Sequence, residues 1–435
     1  MTEMRESATS YEPVEGDSIL VSSQDAELVT STLKDELGIL VGRSEPDSRL
    51  GLTLLEFVPP AQLDDRDLGR ASEKAPEVFV LGGPGELVLD AVLGRLREIF
   101  RARNAAWIPT MGKNRTLTQS IEGGVIIRED EYPPGLAGEP TTTLAAFAPG
   151  DHPVRVGLLD TPFVTHPWLS DRTRVIGANR LDPGTPNWRT GHSTFLAGLI
   201  AHQAPNAEIV VFPALNPLGR GSAWDVARRI ADIAERNAKA APNERIDVLN
   251  ISSGTFTYDG QAPLALAAAV ALLGPEVVVV AAAGNHGRDP RRLRAGVKYQ
   301  WGRRPIFPAA SAPVVAVGSA DARGDRSTFS PDAPWVDVTT QGEELISTYL
   351  PSKVAGFEKA SAGRDARYLG DPPTGTVRKF DGFAQWSGTS FATARVSGAI
   401  AAAVDRDTGV SARQAWSAIR AGLGSDRYLP LPLLS

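Results

Sequence analysis

One stretch of this chain should form a helix yet offers almost nothing but small side chains. Gly388-Thr389-Ser390-Phe391-Ala392-Thr393 is followed by Ala394-Arg395-Val396-Ser397-Gly398-Ala399-Ile400 and by Ala401 to Ala403. A helix without a polar face belongs inside a core, and small residues let neighbouring backbones come close. Its start leaves backbone N–H groups unpaired at the positive end of the helix dipole. A serine at that point has two readings. It caps the helix, as Gly-Thr-Ser commonly does. Alternatively it presents its oxygen to a carbonyl, with a backbone donor ready for the developing oxyanion.

Two upstream segments bear on the choice. Val154-Arg155-Val156-Gly157-Leu158-Leu159-Asp160-Thr161 reads as a buried strand whose end carries a carboxylate. Gly191-His192-Ser193-Thr194-Phe195-Leu196-Ala197-Gly198 reads as a histidine opening a second small-residue helix. An Asp ending a strand is often a turn residue, and a lone His is usually structural. Asp, His and Ser in that chain order, each at an element terminus, match a subtilisin-type triad.

From about residue 151 to its end the chain resembles the subtilases, the subtilisin-like serine peptidases. Further motifs carry the likeness: Val248-Leu249-Asn250-Ile251-Ser252-Ser253-Gly254, Gly284-Asn285-His286-Gly287, Pro313-Val314-Val315-Ala316-Val317-Gly318-Ser319-Ala320 and Ser327-Thr328-Phe329-Ser330. The resemblance implies an α/β fold: a largely parallel sheet flanked by helices on both faces, behind a small N-terminal α+β domain. It implies Ser390 as nucleophile, His192 as general base, Asp160 as its orienting partner, and Asn285 with the Ser390 N–H as oxyanion donors. It implies that Ser252, Ser253 and Gly254 take the substrate as an added strand, that Gly219, Arg220 and Gly221 flank it opposite, and that Gly284 lines the site.

Three departures stand out. The family's proline after the serine block is Ala394, followed by Arg395; the second histidine of His-Gly-Thr-His is replaced, leaving His192-Ser193-Thr194-Phe195; and Asp-Thr/Ser-Gly becomes Asp160-Thr161-Pro162. None removes a reacting group. An esterase built around a Gly-x-Ser-x-Gly elbow would need the order Ser, acid, His, which this chain contradicts.

With no cysteine among 435 residues, disulfides, thiolate metal sites and cysteine nucleophiles are excluded. A net charge of −6 without a basic tail does not suggest nucleic acid. The polar, acidic start Met1-Thr2-Glu3-Met4-Arg5-Glu6-Ser7 has no apolar run behind it, which predicts a cytoplasmic location. The apolar window 264–283 is divided by Gly274-Pro275-Glu276 into a helix and a Val-rich strand, so no membrane association is expected. Nothing speaks to oligomeric state.

Residues 1–145 read as the α+β domain with its linker, and 146–435 as the peptidase domain. Strands are predicted over 18–22, 52–58 and 78–81. Helices are predicted over 25–37, with Leu28, Val29, Leu33 and Leu37 apolar, and over 86–100. Residues 131–151, rich in Pro, Gly, Thr and Ala, read as an extended linker. The layer resembles a subtilase prodomain, which is usually a chaperone and inhibitor; it is equally readable as a permanent accessory domain. Removal would cut within 131–151. Basic clusters at 288–304 and 350–385 read either as solvated faces or as an electropositive rim drawing acidic peptides. The segment 199–209 is short where calcium-binding subtilisins carry an oxygen-rich loop. No cofactor is required, and calcium has no evident ligand cluster. The expected function is a serine endopeptidase performing limited processing of an intracellular protein or precursor peptide. The alternative is a catalytically silent subtilase fold used for binding or regulation.

Overall fold

The computed structural model describes residues 14–59, 62–75, 88–118, 133–141, 143–150, 152–257, 259–287, 301–357 and 376–433. In chain order the strands are β1 (Val14–Ser22), β2 (Val41–Asp47), β3 (Leu52–Phe57), β4 (Met111–Thr118), β5 (Gly135–Leu136), β6 (Arg155–Asp160), β7 (Thr173–Val175), β8 (Glu208–Pro213), β9 (Arg220–Ser222) and β10 (Val248–Ile251). They continue as β11 (Thr255–Phe256), β12 (Val278–Ala282), β13 (Ile306–Phe307), β14 (Val314–Ala320), β15 (Val338–Gln341), β16 (Leu345–Thr348), β17 (Lys353–Phe357), β18 (Thr376–Lys379) and β19 (Phe383–Trp386). The helices used below are α1 (Ala26–Thr32), α2 (Asp65–Lys74), α3 (Leu89–Arg103), α4 (His192–Gln203), α5 (Ala223–Lys239), α6 (Leu264–Leu272), α7 (Thr389–Ala402) and α8 (Ala412–Gly422).

A seven-stranded sheet, ordered β15-β14-β12-β10-β6-β8-β7, is parallel throughout. Its strands alternate between two cores. Val156, Leu158, Val278, Val280, Val315 and Val317 face a core shared with Phe195, Leu196 and Ile200 of α4 and Val396 and Ile400 of α7. Leu159, Val279, Ala281, Val314 and Ala316 face Val226 and Ile230 of α5 and Leu266 of α6. Burial on both faces explains the continuous apolar runs. The chain leaves β6 for β8 on one side, and β10 lies on the other. That reversal opens a crevice at the carboxyl ends of β6 and β10, where open α/β sheets hold their sites.

The N-terminal elements build a five-stranded sheet ordered β2-β3-β1-β4-β9, whose last strand comes from beyond residue 146. Ile19, Val21, Leu55 and Phe57 face Val29, Leu33 and Leu37 and, from α3, Val92, Leu93, Leu96 and Phe100. The opposite face puts Leu20, Leu52, Leu54 and Leu117 into the core beneath α5 and α6. The expected helix over 25–37 is instead a 3-10 turn, α1 and a π turn at Leu33–Leu37, and Leu28 is 45% exposed. Val29, Leu33 and Leu37, spaced by four, fall on one buried line, and Leu28 lies beside it. The predicted strand over 78–81 lies outside the described residues. The expected linker contains a strand, since β5 pairs with β19. The window 264–283 forms α6 and β12, and among the described residues no helix is long and apolar enough to cross a membrane.

Polar contacts also tie the N-terminal sheet to α5. Asn114, 3% exposed, accepts the Trp224 N–H at 3.1 Å and donates to Ser18 Oγ at 3.2 Å. Arg49 binds Asp232 at 2.7 Å and Glu235 at 3.3 Å, and Arg228 binds Glu45. Partly exposed ion pairs contribute about 0–1 kcal/mol each, whereas an orphaned buried N–H costs about 1–3 kcal/mol. Asn114→Ala should therefore loosen the sheet more than Arg49→Ala, read as faster amide exchange in β4 and β9; the reverse ranking would show that charge governs docking. Chiefly through its bond from Arg49, the Asp47 carboxyl is held below its ordinary range. Its contribution is complete above that range and is lost as pH falls through the depressed value, so lowering the pH should reduce the protection of the same amides, relative to their intrinsic exchange, less in Arg49→Ala.

Candidate active site

Three element ends converge at the crevice. Asp160 closes β6, His192 opens α4, and Ser390 lies in the first turn of α7. All are buried, at 0%, 3% and 3% exposure. His192 Nδ1 lies 2.8 Å from Asp160 Oδ1. The same oxygen accepts from the Thr161 N–H at 2.8 Å and the Thr161 hydroxyl at 3.1 Å, so the carboxylate is held from two directions. An ionised carboxylate only accepts, which puts the imidazole proton on Nδ1 and leaves Nε2 as a base. Trp386 and Phe391 wall the ring, with centroids 5.5 and 5.6 Å away, and Phe195 packs behind them.

Ser390 is not the helix cap. That position is Gly388, extended at φ 166, with no side-chain capping bond. A glycine there lets the chain enter the buried helix without a side chain to house. Ser390 thus keeps its hydroxyl clear of capping and donates it to the Ser252 carbonyl at 3.3 Å.

Asn285 follows Gly284, whose φ of 92 lies in the left-handed region that glycine tolerates. Its Oδ1 accepts from both the N–H and the hydroxyl of Thr389, each at 3.0 Å. With its oxygen so committed, the amide offers its NH₂ as a donor. The Thr389 hydroxyl accepts in turn from the Gly284 N–H at 3.1 Å. Thr389 was not singled out from the sequence, although the Gly-Thr-Ser motif contained it. His286 is buried and its pKa lowered to about 4 by desolvation, so it is neutral; its Nε2–H donates to the Arg304 carbonyl at 3.1 Å.

The expected substrate-binding residues fall into two groups. The Ser252 side chain is structural: Oγ accepts from Asn250 Nδ2 at 3.0 Å and donates to the Ser390 carbonyl at 3.3 Å. Ser253 is buried beside it. Gly254 exchanges two backbone bonds with Thr118, at 3.1 and 3.0 Å. On its other edge β4 pairs with β9, Thr118 opposite Arg220 and Leu117 opposite Gly221, while Gly219 turns the chain into β9 at φ 73. The end of β4 is therefore the middle strand between the two edges assigned to substrate. No local signal marks this role, because β4 (Met-Gly-Lys-Asn-Arg-Thr-Leu-Thr) lacks a strong strand pattern.

Of the basic residues considered as a rim, Arg288, Arg291, Arg292, Arg294 and Lys298 lie outside the described residues, as do Lys359, Arg364 and Arg367. Among the described residues no three His, Asp or Glu side chains converge as a metal site would require.

The chain is similar to known proteins. The chain is 28% identical over 218 residues to the thermostable alkaline protease of Halalkalibacterium halodurans, covering 48% of this chain and 52% of that protein. It is 30% identical over 219 residues to subtilisin BL of Lederbergia lenta, covering 48% of this chain and 71% of that one. The chain spans about half the length of the first of these relatives. A solved cold-adapted subtilisin-like serine proteinase superposes with a TM-score of 0.45 at 22% identity, over 63% of this chain and 84% of that one. The subtilase family profile matches residues 151–423. The chain belongs to the subtilase family.

Proposed function

We propose that this chain is a serine endopeptidase acting through Asp160, His192 and Ser390. The observation that carries the reading is the buried 2.8 Å bond between His192 and Asp160, set at the crevice that also holds Ser390. In this reading Ser390 Oγ attacks the carbonyl carbon while His192 Nε2 takes its proton, and Asp160 stabilises the imidazolium. The carbonyl oxygen becomes an oxyanion, held by Asn285 Nδ2 and the Ser390 N–H. Collapse expels the amine, protonated by His192, and leaves an acyl-enzyme that water clears by the same steps reversed.

Residues 1–145 act here as an inhibitory domain. Support comes from β4, which fills the strand slot between Arg220–Gly221 and Gly254. β4 ends against Gly254, two residues from Ser252, whose carbonyl accepts the Ser390 hydroxyl at 3.3 Å. A groove filled by the protein's own chain fits limited processing of an intracellular protein or precursor peptide better than general digestion.

Three outcomes test the reading. Ser390→Ala or His192→Ala should remove nearly all peptide hydrolysis and fluorophosphonate labelling, and the double variant should lose little more; strictly additive losses would refute a shared triad. Asn285→Ala should lower kcat about 10²–10³-fold with KM nearly unchanged, and an effect confined to KM would remove the oxyanion role. Intact mass should show the wild-type chain cut within 131–151 while Ser390→Ala stays whole; an intact wild-type chain that hydrolyses peptides would make 1–145 a permanent accessory domain.

A further inference from the structure

Helix α7 carries one large charged side chain in its interior. Arg395 is 1% exposed, five residues beyond Ser390. Among the described residues its recorded partners are backbone carbonyls: Gln341 at 2.6 Å, Leu431 at 2.6 Å and Pro432 at 3.1 Å. Burial lowers its pKa to about 10, so it remains charged at neutral pH. A guanidinium taken out of water must be satisfied by such acceptors or it disrupts its surroundings.

Two of the three carbonyls belong to a segment that crosses the molecule far from the nucleophile motif in sequence. Residues 427–433 run along the edge of β15, where the Thr339 N–H donates to Arg427 O at 2.9 Å and the Leu429 N–H to Thr339 O at 2.8 Å. The buried Thr340 hydroxyl donates to Leu429 O at 2.7 Å. From α4, Gln203 Nε2 reaches Pro432 O at 2.7 Å. The third carbonyl, of Gln341, precedes Gly342, whose own carbonyl accepts the Gly388 N–H at 2.8 Å. Gly388 caps α7, and the next residue, Thr389, holds Asn285.

We infer that Arg395 is a positioning residue and that residues 427–433 form a clasp which, through Gln341–Gly342 and Gly388, holds Ser390 and Asn285 in register. The inference rests on the reading of Ser390 as nucleophile. Without the clasp Arg395 keeps a single acceptor, and either water or a shift of α7 must make good the loss. A displacement near 1 Å at a reacting group costs about 10²-fold in rate.

The test uses the full chain carrying Arg395→Met, Arg395→Lys or Thr340→Val, each checked for folding by circular dichroism. Fluorophosphonate labelling reads Ser390, peptide hydrolysis separates kcat from KM, and amide exchange over residues 386–392 reads the cap without reference to chemistry. Arg395→Met should label at least about 10-fold more slowly, with KM changed less than about twofold and exchange faster by about 10-fold. Arg395→Lys should recover part of the rate, and Thr340→Val should slow labelling about threefold in the same direction. A folded Arg395→Met chain with wild-type labelling and exchange overturns the inference. Should that variant not fold, wild-type behaviour of Thr340→Val overturns it instead. If wild-type Ser390 fails to label, the peptidase reading falls, while the exchange comparison still decides the clasp.

Discussion

A buried helix can carry a nucleophile only if its neighbours fix it in place, and α7 is fixed by polar bonds inside the core. Ser397 donates to Asn250 Oδ1 at 3.0 Å, Asn250 Nδ2 donates to Ser252 Oγ, and that hydroxyl reaches the Ser390 carbonyl. Thr389 ties the same turn to Asn285. Each of these groups would carry a penalty of about 1–3 kcal/mol if left unpaired, so sliding α7 along β10 would break several bonds at once. Small side chains make this closeness achievable. A Cβ on Gly398 would stand 2.6 Å from the Gln203 Cβ, closer than two carbons can come.

What could be read beforehand follows from how local each signal was. Asp160, His192 and Ser390 sit at element ends flagged by short apolar runs and small-residue helices, so their places in the fold and the surrounding α/β layers were legible. The amphipathic α3 was legible for the same reason, its Val92, Leu93, Leu96 and Phe100 lying on one face. Partners joined only by tertiary approach were not. Thr389 reaches Asn285 across 104 residues, and Trp386 meets His192 through packing alone. Ser390 read locally as a cap because Gly-Thr-Ser is capping chemistry, yet Gly388 takes that place and frees the hydroxyl. The resemblance assigns Ser252 a backbone contact to substrate and says nothing of its side chain, which serves α7. Arg395, next to the Ala394 that stands at the family's proline position, proves to be among the largest fully buried side chains.

The N-terminal sheet shows how a strand can join two parts of a chain without belonging wholly to either. β4 hydrogen-bonds β1 on one side and β9 on the other, and its Leu117 lies in the core beneath α5 and α6. Its weak pattern in the sequence reflects this double duty. Gly112, Lys113 and Asn114 face neighbours from different elements, so no single alternation can serve them all.

The chain is anchored on both sides of the crevice, by Thr118 on Gly254 and by Gly135 on Gln385. On the proposed reading, while the intervening backbone is whole β4 competes for the groove as part of the same molecule, at an effective concentration of order millimolar. Breaking one bond in that span leaves every contact of β4 in place but makes its departure irreversible on dilution. Occupancy of the groove then depends on how much protein is present, as for any two separate partners. One covalent event would thus convert a concentration-independent equilibrium into a concentration-dependent one without altering the fold of either piece.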